Sequence, residues 1–136
     1  MKSFATIALT LLAAATTISA RPNIMERRQP AVQKVSVQLT NDRTGSNAVF
    51  NAALNNGAVP IVDLFLGSAV DFGGVVLASS AQFVGTILPG AACVIKGNDG
   101  RVFGDINDRK TFTDLDGDAG NAVPQNLNDA TLECQL

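Results

Sequence analysis

Two cysteines, Cys93 and Cys134, are the only ones in a chain of 136 residues. They constrain the fold more than any other feature. Between them run two strand-like stretches, Arg101–Ile106 and Lys110–Leu115, with turns rich in Asp, Asn and Gly around them. Paired in one bridge, the cysteines would tie the last strand to one in mid-chain. Closing a loop of about 40 residues stabilises a fold by roughly 3–4 kcal/mol in the chain-entropy model. Such a bridge needs an oxidising compartment, and the amino terminus supplies the route to one.

Lys2 precedes an apolar run from Phe4 to Ala15, and Thr16-Thr17-Ile18-Ser19-Ala20 ends in a small residue. This is the pattern of a secretory signal peptide, residues 1–20, cleaved after Ala20. The run is shorter than the roughly 20 apolar residues that span a bilayer, and no second run of that length follows. Residues 21–28 end in the dibasic pair Arg27-Arg28. A dibasic pair so close to a signal peptide resembles the processing site of fungal Kex2-type proteases. Cleavage there would release one domain, residues 29–136.

That domain is long enough for a modest core. It carries six basic and eleven acidic residues, a formal charge of −5, and the basic residues are scattered. A negative surface without a basic patch repels phosphate, so neither nucleic acid nor an anionic membrane is an expected partner. The chain has no His, Trp or Tyr. His-based nucleophilic triads, His-ligated zinc and an imidazole switch are thereby excluded. The usual aromatic platforms for sugars and the commonest interface anchors are missing as well.

Val35-Ser36-Val37-Gln38-Leu39 alternates with period two and reads as a strand with one buried face. Thr40–Asn47 is a polar loop, and Ala48–Leu54 fits either a short helix or a strand. Asn55-Asn56-Gly57 is a turn. Ala58–Leu66 is apolar and β-prone, with Pro60 confined to a strand start, an edge or a bulge. Gly67–Gly74 is a loop. Val75–Ala78 and Ala81–Ile87 are strands joined near Ser79-Ser80, and Ala92–Lys96 is a buried strand bearing Cys93. It pairs with Arg101–Ile106 as a hairpin across Gly97-Asn98-Asp99-Gly100. Lys110–Leu115 and Thr131–Cys134 are further strands, with a loop at Asp116–Gln125. Seven to nine short strands predict an all-β fold, an antiparallel β-sandwich or a small barrel. Asn-Asp-Arg occurs twice, at Asn41-Asp42-Arg43 and Asn107-Asp108-Arg109.

One cluster has metal-ligand character. Asp114, Asp116 and Asp118 alternate as the first ligands of a calcium loop do. The pattern then fails, with Ala119 at the sixth position and Gln125 at the twelfth. The competing account is an acidic turn that uses Asp and Gly for backbone geometry. No other cofactor is implied. Carboxylate pairs among Asp105, Asp114 and Asp116 could in principle serve a hydrolase. The short chain leaves little room for a cleft, and no nucleophile-elbow, phosphate-binding or dinucleotide motif is present. No catalytic residue is assigned, and a non-enzyme is expected.

The signal peptide, Arg27-Arg28, the compact domain and the paired cysteines together resemble the small secreted proteins of filamentous fungi, of the effector-candidate type. Val37-Gln38-Leu39-Thr40-Asn41-Asp42 and Thr111-Phe112-Thr113-Asp114-Leu115-Asp116 are similar to segments of such proteins. The resemblance implies a secreted, extracellular protein that binds an unidentified protein or glycan at a host or microbial surface. A structural protein of the wall or matrix and a small carboxylate-dependent hydrolase are the alternatives.

Overall fold

The computed structural model describes residues 30–136. The expected signal peptide with its cleavage site at Ala20, and the expected processing site at Arg27-Arg28, lie outside the described residues. Strand β1 (Lys34–Asn41) shows why the chain starts as it does. Val35, Val37 and Leu39 point inward and are buried, while Ser36, Gln38 and Thr40 face outward. Apolar alternation with period two has only one way to bury its apolar set, as a strand on a core. A four-residue turn then leads into β2 (Ser46–Ala53), which pairs with β1 in unbroken register from Asn41↔Ser46 to Lys34↔Ala53. The segment that fitted helix or strand is therefore a strand. The expected loop at Thr40–Asn47 shrinks to its middle, because the Asn41 carbonyl accepts the Thr44 and Gly45 amides and closes the hairpin.

The β-prone run Ala58–Leu66 divides. Strand β3 (Ala58–Pro60) stops at the proline, and helix α1 (Ile61–Phe65) follows at once. Ile61 and Phe65 lie four residues apart on one helical face and both are buried. Burial of that pair overrides the β-propensity of the run. Phe65 packs against Phe50 of β2, ring centroids 6.1 Å apart and planes tilted by 58°.

The remaining strands are β4 (Leu77–Ala78), β5 (Ser80–Val84), β6 (Ala92–Gly97), β7 (Val102–Asn107), β8 (Phe112–Asp114), β9 (Gln125–Asn126) and β10 (Ala130–Gln135). They form an antiparallel sheet of order β2-β1-β5-β8, a second of order β3-β10-β6-β7, and a small β4-β9 ribbon. The fold is all-β, a sandwich of two four-stranded sheets. The count of ten strands exceeds the expected range by one, because β4 and β9 hold only two residues each. The barrel alternative is not adopted, since no ladder joins the two sheets among the described residues.

Cys93 and Cys134 form the expected disulfide, S–S 2.02 Å. They stand directly opposite each other on β6 and β10, within the second sheet, and both are buried. At one side of the sandwich β7 approaches β8 closely. A Cβ on Gly104 would lie 2.6 Å from Thr113 Cγ2 and 3.0 Å from Leu115 Cδ2, so only glycine permits the contact. A tight turn holds this side, with Asn107 Oδ1 accepting the amides of Arg109 and Lys110 at 3.0 and 2.8 Å. Both Asn-Asp-Arg copies are thus turns that follow a strand. In each, the aspartate reaches a distant segment: Asp42 takes the Ser79 and Ser80 hydroxyls, and Asp108 takes the Gly90 amide.

Gly104→Ala is expected to destabilise the fold by about 1–3 kcal/mol through overpacking, measured by denaturant unfolding. Replacing both cysteines with Ala should cost about 4 kcal/mol, from the loop of 41 residues that the bridge closes.

Candidate functional site

The outward residues of the first sheet form a regular grid. Across its middle the register places Val49, Gln38, Gln82 and Phe112 in one row, one residue from each strand. Strand spacing puts the two ends of that row about 14 Å apart. On one side lies the row Asn51, Ser36, Val84, and on the other Asn47, Thr40, Ser80, Asp114. The surface is knitted by side-chain hydrogen bonds. Gln82 Nε2 donates to Gln38 Oε1 at 3.1 Å, and Ser36 Oγ donates to Asn51 Oδ1 at 2.7 Å. Val49 and Phe112, 54% and 52% exposed, stand at the ends of the middle row. Charge enters only at the margins, through Lys34 and Asp114.

At the Phe112 corner the face runs into a cleft of about 300 Å³, lined by Asp42, Ser79, Ser80, Phe112, Asp114 and Asp116. Ser79 and Ser80 are almost fully buried. Both hydroxyls donate to Asp42 Oδ2 at 2.7 Å, and the Asp42 amide donates to Ser79 Oγ at 2.9 Å. This knot joins the β1–β2 turn to the start of β5. Neither Asp42 nor the serines stood out as site residues in the sequence, since they meet across 37 and 38 positions.

The structure brings Asp114, Asp116 and Asp118 to this cleft, but each carboxylate turns back on its own chain. Asp114 Oδ1 accepts the Asp116 amide at 3.2 Å, Asp116 Oδ1 the Asp118 amide at 2.8 Å, and Asp118 Oδ1 the Gly120 amide at 3.0 Å. Asp116 Oδ2 also accepts the Val123 amide. These are successive Asx turns, in which short acidic side chains fix backbone geometry. Among the described residues, no group of three or more acids, histidines or cysteines is placed to hold a metal ion.

The two inner carboxyls are driven apart electrically. The hydroxyl of protonated Asp114 donates a hydrogen bond to the Asp116 carboxylate, so the Asp114 pKa is raised, with burial adding to the effect. The amides of Asp118 and Val123 stabilise ionised Asp116 and lower its pKa. Asp105 lies away from this pair and forms an exposed ion pair with Lys110, Nζ to Oδ1 3.0 Å.

The expected loop Gly67–Gly74 is a connection held from within. Asp71 accepts the amides of Gly67 and Gly74 at 2.8 and 2.7 Å. A separate apolar pocket of about 240 Å³ opens between β2 and β3, lined by Phe50, Ala52, Val59, Leu64 and Leu132. No helix among the described residues is long and apolar enough to cross a membrane. Comparison of the chain with protein-family models, curated proteins and solved structures found no match.

Carboxyl-resolved NMR titration should find Asp114 above the usual carboxylate range and Asp116 below it. Asp114, protonated more readily in the fold than in the unfolded chain, stabilises at low pH and loses that contribution as pH rises through its raised pKa. Asp116 acts oppositely, stabilising at higher pH and losing its contribution as pH falls through its lowered pKa. Asp116→Asn should return Asp114 to the usual range or below, because the amide can donate to an ionised Asp114. An Asp114 that still titrates high in that variant would assign the shift to burial instead.

Proposed function

We propose that the chain is a secreted, non-enzymatic binding domain that contacts an extracellular protein or glycan through the outer face of its first sheet. One observation carries this reading. On a domain of net charge −5, the central positions of that face hold only uncharged side chains, Ser36, Gln38, Asn51 and Gln82 among them. Flat amide and hydroxyl arrays suit the hydrogen-bonding edges of neutral sugars and of polypeptide backbone. Val49 and Phe112 add the apolar contact that such a surface needs for affinity. The buried disulfide and the export signal support an extracellular setting, and the resemblance to fungal effector candidates supports a host or microbial surface as the place of action.

A second reading, carboxylate-dependent hydrolysis, is favoured by one feature. A carboxyl that holds its proton beside one that loses it is the pairing that acid–base catalysis uses. Against it, both oxygens of Asp116 already accept backbone amides.

The secreted protein should bind at least one member of a panel of wall polysaccharides and surface proteins. Gln82→Ala combined with Phe112→Ala should weaken that binding about tenfold, or ~1.4 kcal/mol, and leave the far-ultraviolet circular dichroism unchanged. Unaltered binding by this variant would remove the face from consideration. Turnover of any panel polysaccharide, abolished by Asp116→Asn, would replace the binding reading with the hydrolytic one.

A further inference from the structure

The two sheets expose four edges, and three are visibly guarded. Strand β3 has three residues and ends in Pro60, which has no amide to offer. Strand β7 carries Asp105, ion-paired to Lys110, and its ladder with β6 is broken by a register shift at Ile95/Lys96. Strand β8 is also three residues long and ends in Asp114. Charges, prolines, bulges and shortness are the devices that stop sheet edges from pairing with other chains. Strand β2 has none of them. It is eight residues long, bears no charge, proline or bulge, and pairs only with β1. Beyond that ladder, no main-chain hydrogen bond links residues 47–53 to another described segment.

We infer that the β2 edge is an interaction surface for a second copy of this chain, joined antiparallel about a two-fold axis at Val49. The sequence of the strand is self-complementary in that register. On the outer face Asn47, Val49 and Asn51 form a palindrome, so Asn47 of one copy meets Asn51 of the other, and Val49 meets Val49. On the inner face Ala48 of one copy meets Phe50 of the other, small against large, and the pairing repeats across the axis. Shifting the axis by one residue sets Phe50 against either Phe50 or Ser46 of the other copy and abolishes this match. A half-step shift would set the outer residues of one copy against the inner residues of the other.

The charge distribution points the same way. Two copies with a formal charge of −5 repel each other, and they meet at least cost where neither carries charge. Opposed Asn amides supply cross-strand hydrogen bonds of the kind that stabilise sheet pairs. A single edge is a small interface, so the expected complex is a weak dimer with Kd in the micromolar range. The inference stands apart from the binding reading, since it concerns the edge of the sheet and holds whatever the face contacts.

Sedimentation equilibrium of the secreted protein, from about 1 µM to about 1 mM, tests the inference together with two variants. The wild-type chain should shift from monomer to dimer with concentration. Val49→Lys, at an exposed position, places two ammonium groups opposite each other and should weaken the dimer at least about 30-fold, with the monomer fold intact by circular dichroism. Asn47→Lys combined with Asn51→Asp sets Lys against Asp across the axis and should leave the dimer intact or tighten it. A wild-type chain that remains monomeric throughout would overturn the inference and leave the edge to a foreign strand. A dimer indifferent to Val49→Lys, or one lost in the Lys/Asp pair, would equally overturn it.

Discussion

Val37 and Leu39 on β1 have no exposed surface, and the rest of the molecule is arranged to keep it so. Their row faces the inner residues of the second sheet, where Ile95, Ile106, Leu132 and the two half-cystines are buried. Chains of this size bury a limited fraction of their surface, so a core without Trp or Tyr has little apolar area to spare. The disulfide compensates by restricting the unfolded chain. Its position matters as much as its presence. It joins neighbouring strands of one sheet, so it fixes the β6–β10 register but does not cross the sandwich. Contact between the sheets therefore depends on side-chain packing and on the close approach at Gly104.

The two sides of the sandwich differ for the same reason. Beside Gly104 the sheets draw together around Thr113 and Leu115. Beside β2 and β3 they stand apart, and α1 fills the opening with Ile61 and Phe65. The helix is too short to be stable in isolation and persists because its two apolar residues complete the core. The pocket lined by Phe50, Val59 and Leu64 is what remains of the gap that α1 does not close.

These asymmetries explain what was legible in the sequence. The alternation of Val35, Val37 and Leu39 has one structural solution and was readable, as were the β6–β7 hairpin and the paired cysteines. Ile61–Phe65 was not, because a short apolar run satisfies helix and strand patterns alike, and only the shape of the gap decides. Ala48–Leu54 was ambiguous for a related reason: as an edge strand it alternates weakly, with Ala48 and Ala52 inward beside Phe50, and Val49 outward. Asp114, Asp116 and Asp118 were recognised as a cluster, but carboxylates at alternate positions suit metal ligation and successive Asx turns equally. In the structure these side chains accept backbone amides, a direction that comes from the backbone and not from the spacing. The knot of Asp42 with Ser79 and Ser80 left no local trace, since strand pairing alone brings its members together.

The neutral face and the neutral edge share strand β2, and this ties their consequences together. Val49 belongs to the middle row of the face and sits at the centre of the edge register. A sheet continued through a second copy would carry that row across eight strands, with Phe112 at both ends and two Gln38–Gln82 pairs between. Such a surface presents every contact twice, at a fixed spacing. For a repeating target such as a polysaccharide, the second contact would form at the high effective concentration set by the first. A face that is weak alone, lacking Trp and Tyr, can then hold such a target without new contact chemistry. The absence of charge on β2 leaves an edge open to unwanted pairing, a liability that globular domains usually guard against. An open edge on a strand whose neighbouring edges are all guarded is accounted for if pairing there extends the proposed binding surface.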